Sequence, residues 1–343
     1  MKILINKLFQ KSILQKEEWF FLLKNRNKET IDYAFEKARE ISLQYFENKV
    51  FARGLIEFTN YCKNNCFYCG IRAGNKKTIR YRLFKKDILE CCRIGNELGF
   101  RTFVLQGGED PYFTDEKMLE IIYEIKNKYP DNALTLSVGE RSYESYLAFK
   151  KAGVDRYLLR HETSNGDHYG KLHPNNLSNI PRKQCLINLK NIGFQTGTGF
   201  MVGSPYQTIE NLAEDLIFIT DFKPQMLGIG PFIPHKDTPF SGSPAGNVEL
   251  TLFLLALSRL LLPKVLLPAT TALGTLDPKG REKAVLAGAN VIMPNLSPPH
   301  VRKQYNLYNN KIATGLETAE GVANLAESMA AIGYKLVHER GDY

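Results

Sequence analysis

No stretch of this chain approaches the run of about 18 uncharged apolar residues that a membrane-spanning helix needs. The greasiest segment, Leu252 to Leu262, is interrupted by Arg259. The opening residues, MKILINKLFQKSILQKEEWFF, carry charges through their apolar positions and lack a small-residue cleavage site, so they do not read as an export signal. A reducing cytoplasmic location is therefore expected, where cysteines serve as metal ligands or catalysts more often than as disulfides. Lys and Arg (45) outnumber Asp and Glu (36), giving +9, yet no basic block is present. Nucleic-acid binding is permitted by that balance but not indicated, and no nucleic-acid or membrane partner is expected. Internal repeats, low-complexity tracts and linkers are also missing. The glycines at Gly197, Gly199 and Gly203 do not match G-x-G-x-x-G, which argues against a dinucleotide site.

What is present is a recurring alternation. Eight short apolar runs occur, Leu55–Phe58, Thr102–Gln106, Leu134–Val138, Arg156–Arg160, Thr196–Val202, Met226–Ile229, Val265–Pro268 and Val291–Pro294. They are spaced by roughly 34 residues, the length of one strand, one helix and two loops. Amphipathic stretches at Lys85–Leu98, Asp115–Lys128, Ser142–Ala152, Arg182–Asn191 and Thr208–Asp221 fill the intervals, several ending at a glycine such as Gly99, Gly153 or Gly193. The chain of 343 residues is expected to form one α/β domain, a (β/α)8 TIM barrel over 51–300. A helical extension over 1–50 and a helical cap over 301–343, including an amphipathic helix at Thr318–Ile332, flank it. Functional residues of such barrels lie just beyond the C-terminal ends of the strands.

Directly after the first run come Cys62, Cys66 and Cys69, spaced C-x3-C-x2-C in a loop rich in Asn and Gly. Three thiolates suit an iron–sulfur cluster with one iron left open. A structural zinc is the alternative, but it wants four protein ligands and no fourth Cys or His lies nearby. Cys91, Cys92 and Cys185 fall inside helical patterns and read as packing residues. The second run ends Gln106-Gly107-Gly108-Glu109, a bend that leaves carbonyls and a carboxylate free to accept from an ammonium. The fourth ends Arg160-His161-Glu162, where alternation lets Arg160 and Glu162 share the lumen while His161 faces the helices in a structural role. Met201 offers an apolar surface for a ring or packs the barrel, and His235 is read as a loop residue.

The three-cysteine spacing with Tyr68 before its last member, at the end of the first strand of a βα barrel, resembles the radical S-adenosylmethionine (SAM) enzymes. The segments IEFTNYCKNNCFYCGIR, VLQGGEDPY, LTLSVGE, RYLLRHETSN, MVGSPYQT, IGPFIPHKDTP, PATTALGT and GANVIMPN together resemble the biotin synthase-like HydE family, the FeFe-hydrogenase maturases, from about Arg53 to Tyr308. The resemblance implies one 4Fe-4S cluster on Cys62, Cys66 and Cys69. It also implies a SAM site formed by Tyr68, Gly107, Gly108, Glu109, Arg160, Glu162, Arg182 and Met201. Reductive cleavage of SAM to a 5′-deoxyadenosyl radical would then act on a small, anionic organo-iron substrate during diiron-subcluster assembly. An electron donor and other hydrogenase maturases are the implied partners. Arg53, Thr135, Ser137, Thr270, Thr271, Met293 and Tyr305 are the candidate substrate-side residues. Related barrels of the methylornithine synthase and biotin synthase kind share these motifs, but no cysteine follows Cys185 to hold the second cluster of biotin synthase. The extra C-terminal cysteines of some HydE proteins are missing as well. A non-catalytic metal-binding, RNA-binding protein is the rival from another class; it would leave the strand-end residues without a use.

Overall fold

The computed structural model describes residues 1–313, 315 and 318–343. Three helices, Lys2–Lys11, Lys16–Lys24 and Lys28–Phe46, precede the first strand. That strand is split at Arg53 into β1 (Lys49–Ala52) and β2 (Gly54–Thr59). Then follow β3 (Thr102–Gly107), β4 (Ala133–Ser137), β5 (Arg156–Leu158), β6 (Gln195–Val202) and β7 (Met226–Pro231). β8 (Val291–Ile292) and β9 (Lys335–Val337) come last.

β2 to β7 form a parallel sheet in sequence order, and β1 lies between β8 and β9. Parallel bridges Met226–Leu266 and Pro268–Val291 put 265–268 between β7 and β8, and Leu55–Asn295 joins the eighth position back to β2. The ring is thus an α/β barrel of eight parallel positions, the seventh held by single bridges rather than a regular ladder.

The expected crossover helices are present at Lys85–Glu97, Asp115–Lys128, Tyr143–Lys151, Asn179–Ile192 and Ile209–Phe222. Their starts follow side-chain chemistry: Ser142 accepts from the Ser145 N–H, and Thr208 and Asn211 cap each other reciprocally. The apolar run becomes the helix Val248–Leu261, which is buried over most of its length. Arg259 survives inside it because its guanidinium donates to the carbonyls of Gly288 and Pro263 (both 2.9 Å) and to Asn290 (3.1 Å).

The C-terminal segment is not wholly helical as expected. After the helix Val322–Ala331 it adds β9 beside β1 and runs under the barrel floor. There Arg156, fully buried, donates to the Arg340 carbonyl (2.8 Å) and to Asp342 (2.6 Å).

Candidate active site

The loop after β2 is held on both flanks by polar side chains that the sequence places close by. Asn60 donates to the carbonyls of Ile79 and Gln304 (both 2.8 Å) and accepts from the Tyr81 N–H. Arg80 gathers the carbonyls of Asn60, Ile71, Arg72 and Asn75, so one guanidinium ties the loop's entry to its exit. On the other flank sits the Gly107-Gly108 bend. A Cβ at Gly108 would stand 2.1 Å from the Tyr61 carbonyl, so only glycine allows this contact.

Held in this way, Cys62, Cys66 and Cys69 all line one cavity of about 360 Å³ at the C-terminal mouth of the barrel. Burial, and the proximity of the Cys62 sulfur, push the Cys66 thiol up to about 12; burial and the other two sulfurs raise Cys69 as well. Among the described residues, no three Cys, His, Asp or Glu side chains come close enough to share a single metal ion. Cys91 and Cys92 are buried in a helix, and Cys185 donates weakly to the Arg141 carbonyl at 3.7 Å; none of the three lines the cavity.

Facing the thiols is a charged wall. Glu162 adopts φ 65°, a left-handed conformation that costs a non-glycine residue roughly 1–2 kcal/mol. Bonds from its own N–H to Gly199 O (3.0 Å) and from Met201 N–H to its carbonyl (3.3 Å) hold it there. Its carboxylate lies 3.3 Å from Arg160, yet Glu162 Oε2 and Arg160 Nε and Nη2 are buried without a well-directed hydrogen bond. Buried charges left in that state are prepared to accept and donate to a guest. Arg182 donates to the Arg160 carbonyl (2.5 Å) and to Glu140 (2.6 Å), with Glu109 at 3.8 Å. Gly139, at φ 77°, admits Glu109 to this group: a Cβ there would lie 1.9 Å from the Glu109 Cγ.

Tyr68 meets His173 at 3.2 Å. Because His173 Nδ1 lies 2.9 Å from the Tyr169 carbonyl and must donate to it, Nε2 accepts from the Tyr68 hydroxyl. Burial pulls His173 down to about 4, so it is neutral in that role. His161 is fully buried between Thr198 (2.8 Å) and Asp215 (3.2 Å), facing away from the lumen. His235 accepts from the Asp237 N–H (3.1 Å) in its loop and does not line the cavity.

Tyr68, Gly107, Gly108, Glu109, Arg160, Glu162, Arg182, Met201, Ser137, Thr270, Thr271, Met293 and Tyr305 all line the cavity. Two expected substrate-side residues lie elsewhere. Arg53 precedes β2 and so sits at the barrel's floor, where it donates to the Gly341 carbonyl at 3.0 Å and contacts the Met226 sulfur at 3.4 Å. Thr135 is paired with Arg156, one pleat below Ser137, which keeps its buried hydroxyl out of the cavity. The sequence reading also missed a buried ion pair. Glu57, inside β2, accepts from Lys311 (2.7 and 3.0 Å) and from Asn295 (2.8 Å) and lines the cavity. A glutamate in an otherwise apolar strand was the available signal; its partner, more than 250 residues away, was not.

Comparison with known proteins fits this geometry. Residues 56–219 match the model of the radical SAM superfamily. The HydE subunit of the FeFe-hydrogenase maturase of Thermotoga maritima is 48% identical over 278 residues, covering 81% of this chain and 79% of that protein. The crystal structure of a methylornithine synthase superposes with a TM-score of 0.84 at 25% identity, covering 97% of both chains. A HydG maturase structure shares the fold, with a TM-score of 0.83 at 20% identity over 98% of this chain and 75% of that one. The combined identity and coverage decide the assignment: the chain belongs to the HydE family of radical SAM enzymes.

Proposed function

We propose that the chain is a hydrogenase maturase that cleaves SAM reductively and directs the resulting 5′-deoxyadenosyl radical onto a small organo-iron substrate inside the barrel. The observation that carries this reading is the convergence of three thiols, one charged wall and the hydroxyls of Ser137, Thr270, Thr271 and Tyr305 on a single cavity. The donor set fits one 4Fe-4S cluster. Three half-buried cysteines lining one cavity suit a cluster with one open iron, whereas a lone zinc ion would need four ligands about 2.3 Å from the metal. When bound, that cluster supplies the coordination site and the electron for SAM cleavage.

The remaining work falls to the chain. Arg182, already oriented by Glu140 and the Arg160 carbonyl, would grip the SAM carboxylate with its free guanidinium edge. Glu162 would accept from the ribose hydroxyls, and Glu109 with the Gly107-Gly108 carbonyls from the ammonium. Met201 would give the adenine an apolar floor, and Tyr68, its hydroxyl held by His173, would line the wall beside the cysteines. Deeper in, Ser137, Thr270, Thr271, Met293 and Tyr305 would hold the substrate, and the enclosing barrel keeps water from the radical. Other maturases and an electron donor would be the partners in turnover.

The test is anaerobic reconstitution followed by two measurements: deoxyadenosine release after reduction, and rescue of hydrogenase activity in an extract lacking HydE. Cys69→Ala should abolish both. Release at the normal rate from Cys69→Ala would refute the cluster assignment, while cleavage without rescue would move the protein to a methylornithine synthase-like reaction.

A further inference from the structure

The segment that carries the three cysteines has a charge balance unlike the rest of the chain. From Phe58 to Lys86 it contains Lys63, Arg72, Lys76, Lys77, Arg80, Arg82, Lys85 and Lys86 and no Asp or Glu. Carboxylates from elsewhere answer some of these cations: at the edge Lys85 is paired with the exposed Glu120 (2.6 Å), but the others answer from below the surface. The Glu109, Asp110 and Asp237 side chains are 10%, 1% and 13% exposed, whereas their partners Lys63, Arg82 and Lys77 are 56%, 26% and 81% exposed. The outward face is therefore positive, and Lys76 adds an exposed charge to it.

The same face has an apolar centre. Arg82 lies over the rings of Tyr61 (3.7 Å) and Tyr112 (4.9 Å), and Phe84 packs edge-on to Tyr112 at 5.8 Å. Phe84 and Ile79 protrude, 53% and 72% exposed. Asn60 bonds to both Ile79 and Gln304 and so brings exposed Lys303 to the far rim. The face adjoins the cysteine loop, for Tyr61 is joined to Cys62 and Arg80 binds the carbonyls of Asn60 and Ile71 that flank it.

We propose that this face is the docking surface of a small acidic one-electron carrier protein. The proposal rests on the function given above, because reductive cleavage consumes one electron per SAM and that electron must enter from outside. The reduced carrier gives up one electron and is oxidised by one unit. The sulfonium S–C5′ bond of SAM then breaks to methionine and the 5′-deoxyadenosyl radical, with no proton moved. Apolar anchors inside a ring of like charge are the arrangement that gives fast, salt-sensitive, short-lived association. Nucleic acid fits less well, since the guanidinium of Arg82 already covers the Tyr61 ring on which a base would stack.

The experiment compares the reconstituted protein with the double variant Lys76→Glu/Ile79→Asp, neither residue lining the cavity. Binding to a purified acidic ferredoxin is measured by biolayer interferometry, and SAM cleavage is measured with reduced ferredoxin and, separately, with dithionite. The double variant should bind ferredoxin at least ~30-fold more weakly. Wild-type binding should weaken steadily as salt rises from about 0.05 to 0.3 M. Cleavage driven by limiting ferredoxin should fall in parallel, and cleavage driven by dithionite should stay unchanged. Equal ferredoxin binding by both proteins would overturn the proposal. So would wild-type binding to an RNA oligomer but not to ferredoxin, or a wild-type dimer that the double variant dissociates. Failure of wild-type cleavage with dithionite would instead count against the function itself. If the double variant loses dithionite-driven cleavage through a damaged loop, Lys303→Glu decides, with unchanged ferredoxin binding again overturning the proposal.

Discussion

Replacing Lys311 by Met removes the cation from Glu57 while keeping most of its buried volume, and this should be among the most damaging single changes outside the cysteine loop. The two side chains are 9% and 1% exposed and lie 2.7 Å apart at their closest. With an effective dielectric constant near 20, their Coulomb attraction is about 6 kcal/mol, a gross figure offset by desolvation. Breaking a buried pair by deleting one partner leaves the other charged and unpaired, at a typical cost of about 3–5 kcal/mol. Asn295 alone, at 2.8 Å, cannot replace an ammonium. For a chain of 343 residues the unfolding entropy is about 0.7 kcal/mol/K, so the melting temperature should fall by about 4–7 °C. Glu57→Gln/Lys311→Met, which removes both charges, should recover most of that loss, giving a coupling of about 2–4 kcal/mol. The assay is anaerobic thermal unfolding of the wild type, both single variants and the double variant. A Lys311→Met protein melting within about 1 °C of wild type, or additive single effects, would show that the pair carries no such load.

Arg182→Ala should weaken SAM by roughly 10- to 150-fold in equilibrium binding to the reconstituted protein, the value of one charged hydrogen bond; unchanged affinity in both Arg182→Ala and Glu162→Ala would remove these residues from the SAM site. Thr270→Val should not destabilise the fold, because the buried Thr270 hydroxyl has no hydrogen-bond partner to lose. Combined with Thr271→Val it should keep the cluster and SAM binding yet lose hydrogenase maturation, and full maturation would rule out a substrate role. His173 falls from an ordinary value of 6.5 to about 4 through burial, so the unfolded chain takes up a proton in that window that the folded chain refuses. Its contribution is complete above pH 6.5 and is lost as pH falls, to the extent of about 3 kcal/mol near pH 4. His173→Gln should flatten the acid side of the stability profile, and an unaltered slope would contradict that origin.

Much of the site was legible because its chemistry is local in sequence. C-x3-C-x2-C lies within eight residues, and the Gly107-Gly108 bend follows its strand directly. Arg160 and Glu162 line the cavity while His161 is buried away from it, the separation that alternation predicts, although β5 itself ends at Leu158 and Glu162 is turned by its left-handed backbone. The positive character of the cysteine loop was less visible, since it comes from missing acids rather than from a basic block.

The amino-acid order alone thus determined the barrel, through eight apolar runs that recur on average roughly every 34 residues, about one βα unit, and the cysteine ligand set, through spacing that a single loop can satisfy. Tertiary structure decided depth and long-range pairing. Whether a residue faces the mouth or the floor of a barrel depends on where its strand begins relative to its neighbours, and that stagger took Arg53 and Thr135 away from the cavity. Lys311 reaches Glu57 only because the chain after the eighth strand folds back across the mouth. β9 pairs with β1 only because the last segment passes under the floor. No periodicity encodes these contacts, because each is set by the closure of the whole ring rather than by the residues beside it.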